Sequence, residues 1–398
     1  MTSARHARVK AIFLAACERP PDERAALLDR ECAADPSLRA DVESLLAHVR
    51  DEPLLAGPPT AEPAAAADDA DPLALVGQTL DDRYRIESLV AEGGFGFVYR
   101  ARHLRWDRPV AVKVYKLDAA DDELRRAFVK EGALLNDLSR RTTAIVQSYD
   151  VGTWRDPSGH ARIFTVLEWL DGASLDVVQT RRRSEGAAAW SLEEVVRALD
   201  PVAEALAVAH RHGIAHRDVK PANVMLVEEQ GERTAKLLDF GVAKVAREHA
   251  DGFQGTWGKV RTFSAGYAAP EQLSRAHGPT GPWSDVYSLA VVCVELLAGR
   301  RLLVGDGDPV RAMVHRADPS FRPTPSTVGV PVAPLVEAVF ARALAVAPAE
   351  RYPDAASFWS ALRAAALAPA RSSRATFALS LAASAVAAAV AAWLLLRG

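Results

Sequence analysis

The stretch HRDVKPAN, His216 to Asn223, lies just past the middle of the chain. It brings one acid, three basic side chains, an amide and a proline together within eight residues. Such a segment is either a polar surface loop or the floor of a site that moves phosphate. The choice between them rests on what the rest of the sequence supplies.

At 398 residues the chain exceeds one ordinary domain, and two or three units are expected. Hydrophobic residues make up 49% and charged residues 25%, a composition normal for globular protein with a core. The net charge of -3 gives no global pull toward nucleic acid, so no nucleic-acid partner is expected. The local cluster Arg181-Arg182-Arg183 reads as a solvated turn. The three cysteines, Cys17, Cys32 and Cys293, form no CxxC pair, which argues for a reducing compartment and against a disulfide framework or a zinc site. The ten histidines show no HExxH spacing.

Residues 1–54 read as a helical segment. Val9, Ile12, Phe13 and Ala16 share one helical face, and Leu38, Val42, Leu45, Leu46 and Val49 share another. Asp35 before Pro36 has the pattern of an N-cap with proline at the first helical position. The FLAAC stretch, Phe13 to Cys17, follows a basic start, but its apolar core of about six residues is too short for an export signal. Residues 55–82 are rich in alanine, proline and aspartate and read as a linker.

From Tyr84 the texture changes to short strands, RYRIESLVAEG, FVYRARHL and RPVAVKVYK, with glycines between the first two. From Ser191 it becomes helical: Ser191 and Glu194 form a capping box ahead of VVRALDPVAEALAVAHRHG, and SDVYSLAVVCVELLAGR makes another apolar helix. A strand-rich lobe followed by a helix-rich lobe is an α+β arrangement with a cleft expected between the two.

Several separate motifs over residues 83–366 then resemble, in order and spacing, those of eukaryotic-like protein kinases, and most of all the bacterial membrane-linked (Hanks-type) Ser/Thr kinases. The resemblance implies a bilobal protein-kinase fold that moves the γ-phosphate of ATP to Ser/Thr hydroxyls of proteins. Phosphoryl transfer asks the protein mainly for positioning and charge compensation. In AEGGFGFVY, Gly93, Gly94 and Gly96 would let backbone N–H groups approach phosphate, although the same glycines alone also make an ordinary hairpin. Ala91 departs from the family glycine, at a cost of about 1 kcal/mol if the position needs positive φ. Lys113 in VAVK resembles the lysine that holds the α- and β-phosphates, with Glu131 in FVKEGALL as its expected partner; outside this context both would be surface charges.

In HRDVKPAN the resemblance makes Asp218 the residue that orients or accepts the substrate hydroxyl proton, and Lys220 a neutraliser of phosphoryl charge. Asn223, with Asp239 of DFG, would hold Mg²⁺, for which Mn²⁺ is an alternative. Phe240 would pack against Leu135 and His216. Val98, Ala111 and Met225 would sandwich the adenine, with Leu167 before a hinge from Glu168 to Leu170. Glu271 of AAPE should pair with Arg351 of AERYPDA, and Asp285 should anchor the catalytic-loop backbone.

Lys220 two places after Asp218 is the Ser/Thr pattern, and Ala222 stands where some relatives carry a glutamate that reads a substrate arginine, so no strong basic preference is expected there. Arg217 implies a phosphorylated activation loop, with Thr262 and Thr256 as the sites and Ser264 as a structural residue. After a juxtamembrane stretch at 367–374, residues 375–396 carry no charge and are long enough to span the roughly 30 Å hydrocarbon core. Arg371 and Arg374 ahead of that run place the kinase domain on the cytoplasmic side of a bacterial inner membrane, with about two residues beyond the run and no external sensor on this chain. Ser384 and Ala388 would permit helix pairing in a homodimer that phosphorylates itself in trans. The rival readings are a nucleotide-binding pseudokinase scaffold, supported by Ala91 and the diverged RTTAIVQSYDVG, and a small-molecule kinase, against which Glu271 and Arg351 count.

Overall fold

In a computed structural model of the chain the described residues are 71–93, 96–118, 122–156, 159–229, 231–240, 266–273, 277–302 and 322–368, with parts of 8–43. Within the N-terminal part, α1 (Pro21–Glu31) carries Leu27 and Leu28, which are buried, as are Ile12, Ala16, Leu38 and Val42. Asp35 Oδ1 accepts the Leu38 N–H at 3.1 Å, the cap that the Asp-Pro pattern predicts.

The small lobe is a six-stranded antiparallel sheet in the order β1-β2-β3-β4-β6-β5. Its strands are β1 (Thr79–Leu80), β2 (Tyr84–Glu92), β3 (Gly96–His103), β4 (Arg108–Asp118), β5 (Ser148–Arg155) and β6 (Ala161–Glu168). Side chains alternate between faces along a strand, and that period assigns the roles here. Val110, Val112 and Val114 of β4, Tyr99 and Ala101 of β3, and Phe164 and Val166 of β6 are fully buried in one apolar cluster. The alternate residues, Ala111, Lys113, Val98, Thr165 and Leu167, therefore face the other side. Register brings them together: Ala111 lies opposite Leu167, and Lys113 opposite both Val98 and Thr165.

Residues 71–82, which composition assigns to the linker, belong to this lobe. Leu73, Leu75 and Leu80 enter its core, and Asp71 Oδ1 accepts the Tyr99 hydroxyl at 2.7 Å while its Oδ2 accepts the Val76 N–H at 2.7 Å. The leucines are spaced too widely among Asp, Pro and Gly for composition to show them as core.

Helix α2 (Asp122–Ser139) packs beside β5. The chain enters the large lobe through a second, three-stranded sheet of β7 (Gly172–Ser174), β8 (Val224–Glu229) and β9 (Glu232–Leu237). The segment ahead of β5 is stitched to β9: the Val146 N–H donates to the Leu237 carbonyl and the Leu237 N–H to the Ala144 carbonyl. Helices α3 (Leu175–Ser184), α4 (Leu192–Arg211), α5 (Pro270–Leu273), α6 (Pro282–Ala298), α7 (Pro334–Ala343) and α8 (Ala355–Leu367) complete the lobe. The Ser191–Glu194 capping box starts α4 with both bonds made, at 2.7 and 3.2 Å. Along α4, Val195, Leu199, Val202, Leu206 and His210 are buried at helical spacing, which makes one face the seat of the core. Helix α6 is buried on all sides from Ser284 to Leu297, as its unbroken apolar composition requires. It stops at Gly299, whose φ of +63° suits glycine and where a Cβ would meet the Ala189 Cβ at 3.0 Å.

Arg181, Arg182 and Arg183 form the last turn of α3 and not a turn between elements; cations there oppose the negative end of the helix dipole, and Arg182 lies 5.0 Å over the Trp190 ring. The expected transmembrane run 375–396 lies outside the described residues, among which no helix is long and apolar enough to cross a membrane.

Burial alone would raise the Asp71 pKa, but the Tyr99 hydroxyl and the N–H groups of Val76, Leu73 and Leu75 outweigh it and hold it below the ordinary aspartate value. A carboxyl depressed on folding stabilises the fold above its unfolded pKa and loses that contribution as pH falls through the folded value. Asp71→Asn is therefore expected to lower Tm at neutral pH, with the gap to wild type closing in acid, as thermal melts across pH would show.

Candidate active site

The cleft between the lobes collects most of the residues that the sequence singles out. The short 3₁₀ turn Pro221–Asn223 leads the HRDVKPAN stretch into β8, the middle strand of the three-stranded sheet. Pro221 opens that turn, and Asn223 is anchored by its N–H to the Lys220 carbonyl at 3.0 Å while its own carbonyl accepts the Leu238 N–H at 2.9 Å. The Asn223 amide nitrogen donates to the Asp218 carbonyl at 2.8 Å and to Asp218 Oδ2 at 3.1 Å. Lys220 Nζ donates to the same Oδ2 at 2.8 Å. Both donors converge on one carboxylate oxygen, and among the described residues no donor bonds to Oδ1.

The backbone that presents Asp218 is strained and held. Arg217 sits at φ +66° and Asp239 at φ +55°, conformations that cost a residue with a Cβ about 1–3 kcal/mol each. Buried Asp285 of α6 holds the first of these. Its Oδ2 accepts the His216 N–H at 2.7 Å and its Oδ1 the Arg217 N–H at 2.6 Å, while His210 Nε2 lies 2.9 Å from Oδ2. The tautomers follow from the partners. His210 Nδ1 accepts the Ala355 N–H, which puts its proton on Nε2, facing Asp285. His216 Nε2 donates to the Leu238 carbonyl at 2.7 Å, which leaves Nδ1 to accept the Asp218 N–H at 3.2 Å. Phe240 stacks edge-on to His216 at 4.6 Å, and with Leu135 it lines a cavity behind Leu167.

Lys113 crosses the cleft to Asp239 Oδ1 at 2.5 Å. Burial works against its charge, but Asp239 outweighs that and raises the Lys113 pKa; burial would likewise raise the Asp239 pKa, and Lys113 lowers it. The pair is charged on both sides at neutral pH. The expected partner Glu131 lies on α2, but its side chain is outside the described residues, so the contact seen for Lys113 is Asp239. The oxygens of Asn223 and Asp239 are hard ligands fit for Mg²⁺ shared with nucleotide phosphates, since Mg²⁺ rarely takes an all-protein cage.

Val98, Ala111, Met225, Leu167 and Leu170 are all half-buried, unlike the fully buried valines that alternate with Ala111 along β4. Gly96 has a structural reason of its own: a Cβ would meet the Val114 carbonyl oxygen at 2.2 Å across the β3–β4 pair. Gly93 closes the hairpin by bonding to the Gly96 carbonyl at 2.8 Å, while Gly94 lies outside the described residues. Ala91 sits in β2 opposite Val98 and is not at positive φ, so the expected strain at that position does not arise. Thr256, Thr262 and Ser264 lie outside the described residues.

Glu271 and Arg351 form a fully buried bidentate pair, each bond 2.8 Å. Every guanidinium donor is used: Nε goes to the Ala345 carbonyl, and the terminal nitrogens add the Trp283 and Val346 carbonyls. The Ser284 hydroxyl donates to Glu271 at 2.7 Å. Three polar residues escaped the sequence reading. His210 and Gln272 give no local signal, but Lys236 is a charge between Ala235 and Leu237, both fully buried, and its buried Nζ pairs with Glu168 at 3.0 Å.

Residues 84–341, well over half of the chain, match the family model described as the protein kinase domain. The chain belongs to the protein kinase family. It is 37% identical over 286 residues to the serine/threonine-protein kinase PknB of Mycolicibacterium smegmatis, covering 70% of this chain and 42% of that protein. It is 31% identical to serine/threonine-protein kinase pkn3 of Myxococcus xanthus, covering 73% and 51% of the two chains. It is 35% identical to PknL of Mycobacterium tuberculosis, covering 72% and 66%. The chain thus spans between two fifths and two thirds of the length of these curated relatives. A crystal structure of the Mycobacterium tuberculosis PknI kinase domain aligns with a TM-score of 0.53 at 28% identity, over 73% of this chain and 99% of that one.

Removing one partner of a buried ion pair leaves an uncompensated charge at a cost of about 3–5 kcal/mol. Arg351→Met should therefore lower the unfolding free energy by that amount in denaturant titration. The double variant with Glu271→Gln should lose less than the two single losses combined.

Proposed function

We propose that the protein is an active Ser/Thr protein kinase that uses Mg-ATP. The observation that carries this reading is the state of Asp218: Lys220 and Asn223 occupy Oδ2 while Oδ1 takes no donor among the described residues, which suits it to receive a substrate hydroxyl proton. Lys113, on the small lobe, and Lys220, on the large one, bring positive charge to the two sides of the transferring phosphoryl group. Asn223 and Asp239 would hold the metal, whose chemistry is to neutralise charge on the phosphate oxygens. Ala111, Val98 and Met225 supply apolar surface for the adenine, and the hinge at Glu168–Leu170 supplies backbone groups for its edge. The names of the relatives, all Ser/Thr kinases, support the same reading.

Two extensions rest on sequence outside the described residues. Phosphorylation at Thr262 or Thr256 would bring about -1.5 to -2 charge to the loop before Glu271. In support, buried Arg217 Nε has no hydrogen-bond partner among the described residues. The uncharged run 375–396 would anchor the kinase in the bacterial inner membrane, with lipid as a partner and trans-autophosphorylation within a homodimer.

The test is the full chain in detergent with Mg-ATP, beside an Asp218→Asn variant, followed by intact mass and peptide mapping. The expected result is phosphate gained by the wild type alone, on Thr256 or Thr262. Tight ATP binding without phosphate gain, even on added protein substrates, would replace this reading with a nucleotide-binding scaffold. Alanine at both threonines with activity unchanged would remove the loop switch. Release of the chain from membranes by alkaline carbonate would remove the anchor.

A further inference from the structure

Gln272 follows Glu271 in the single turn of α5 and is 7% exposed. Its Oε1 accepts the Ala269 N–H at 3.0 Å, and its backbone N–H returns a bond to the Ala269 carbonyl at 2.9 Å. Its Nε2 donates to the Arg217 carbonyl at 2.7 Å. The amide has only one workable orientation. Turned over, it would set NH₂ against the Ala269 N–H and oxygen against the Arg217 carbonyl oxygen.

The Arg217 carbonyl belongs to the same peptide plane as the Asp218 N–H. That plane is gripped at both edges, by Gln272 at the carbonyl and by His216 Nδ1 at the N–H. The preceding plane is gripped by Asp285 through the Arg217 N–H. Between the two lies Arg217 in its left-handed conformation, which would relax to a commoner one if either grip failed. Relaxation there turns the plane from which Asp218 projects.

We propose that Gln272 is a positioning residue for the catalytic aspartate: it carries the placement of residues 268–273 to Asp218 through the Arg217 carbonyl. The segment that closes the activation loop is thereby read directly by the catalytic loop, apart from the Glu271–Arg351 anchor, which fixes the same turn to the lobe. The proposal rests on the reading of Asp218 as catalytic.

The experiment compares Gln272→Glu and Gln272→Met in the full chain, phosphorylated to the same level by a wild-type kinase domain and then assayed on a peptide substrate. Gln272→Glu keeps the acceptor for Ala269 and loses the donor to Arg217; Gln272→Met keeps the volume and loses both. Displacing a catalytic group slightly costs up to about a hundredfold, so kcat is expected to fall about tenfold to a hundredfold in both. KM for ATP should stay within about twofold and Tm within a few degrees, because the nucleotide contacts and the Glu271–Arg351 pair are untouched. Unchanged kcat in Gln272→Glu would overturn the proposal. So would parallel loss of kcat, ATP affinity and thermal stability in both variants, which is the mark of a merely structural role. Asp218→Asn in the same assay separates the premises: if that variant keeps wild-type activity, the reading of Asp218 has failed, whatever Gln272 does.

Discussion

A carboxylate with no exposed surface, inside an apolar helix, is tolerable only if its oxygens are hydrogen-bonded, and Asp285 meets that condition with groups from elsewhere in the chain. Two of its donors are backbone N–H groups of His216 and Arg217, and the third is the His210 imidazole. The dependence runs both ways. Asp285 in α6 depends on the 216–223 loop for those N–H groups, and Asp285 in turn holds Arg217 at positive φ. His210 extends the arrangement to α8 through the Ala355 N–H, so α4, α6, α8 and the loop form one polar unit within an otherwise apolar lobe.

The two sides of the cleft are held differently as a result. On the large lobe, Asp218, Asn223 and the turn at Glu271 are fixed by bonds that are mostly buried and that share partners, so none moves alone. On the small lobe, Lys113 stands on a strand whose other face is core, and its described tie to the large lobe is the contact with Asp239. The hinge has its own tie, Glu168 to Lys236, with Glu168 Oε1 also accepting the Gln147 N–H. The bonds that fix residues 216–223 come from the large lobe itself and do not pass through the Lys113–Asp239 contact.

Lys113, Asp285, Asp218 and Asn223 were legible through the motifs that resemble those of protein kinases; taken singly, each would pass for an ordinary polar residue. The bilobal arrangement was legible because period 2 gives way to period 3.6 near Ser191. What stayed hidden has physical reasons. Gln272 and His210 act through groups distant in sequence, Arg217 and Asp285 or Ala355, and no local pattern marks such a bond. Leu73, Leu75 and Leu80 were lost in a stretch whose average composition is that of a linker, although three side chains and Asp71 suffice to dock it. The Arg181–Arg183 cluster read as a turn because charge density says nothing about helical ends. Ala91 would carry a cost only if its position needed positive φ, and a place inside β2 asks nothing of φ that alanine cannot give.

The glycine loop shows how one motif can hold two kinds of constraint. At Gly96 a side chain is excluded by the Val114 carbonyl, a demand of strand pairing that would hold if no nucleotide ever bound. At Gly93 the nearest obstacle to a Cβ is the Gly96 carbonyl oxygen at 3.7 Å, ordinary contact, so strand packing does not explain that glycine. The second kind, on the proposed reading of the site, would be room for phosphate beside the backbone at Gly93. On that reading the loop would carry its structural glycine at the strand end, Gly96, and its phosphate-facing one at Gly93, while Ala91 lies in β2 opposite Val98, where no positive φ is asked of it.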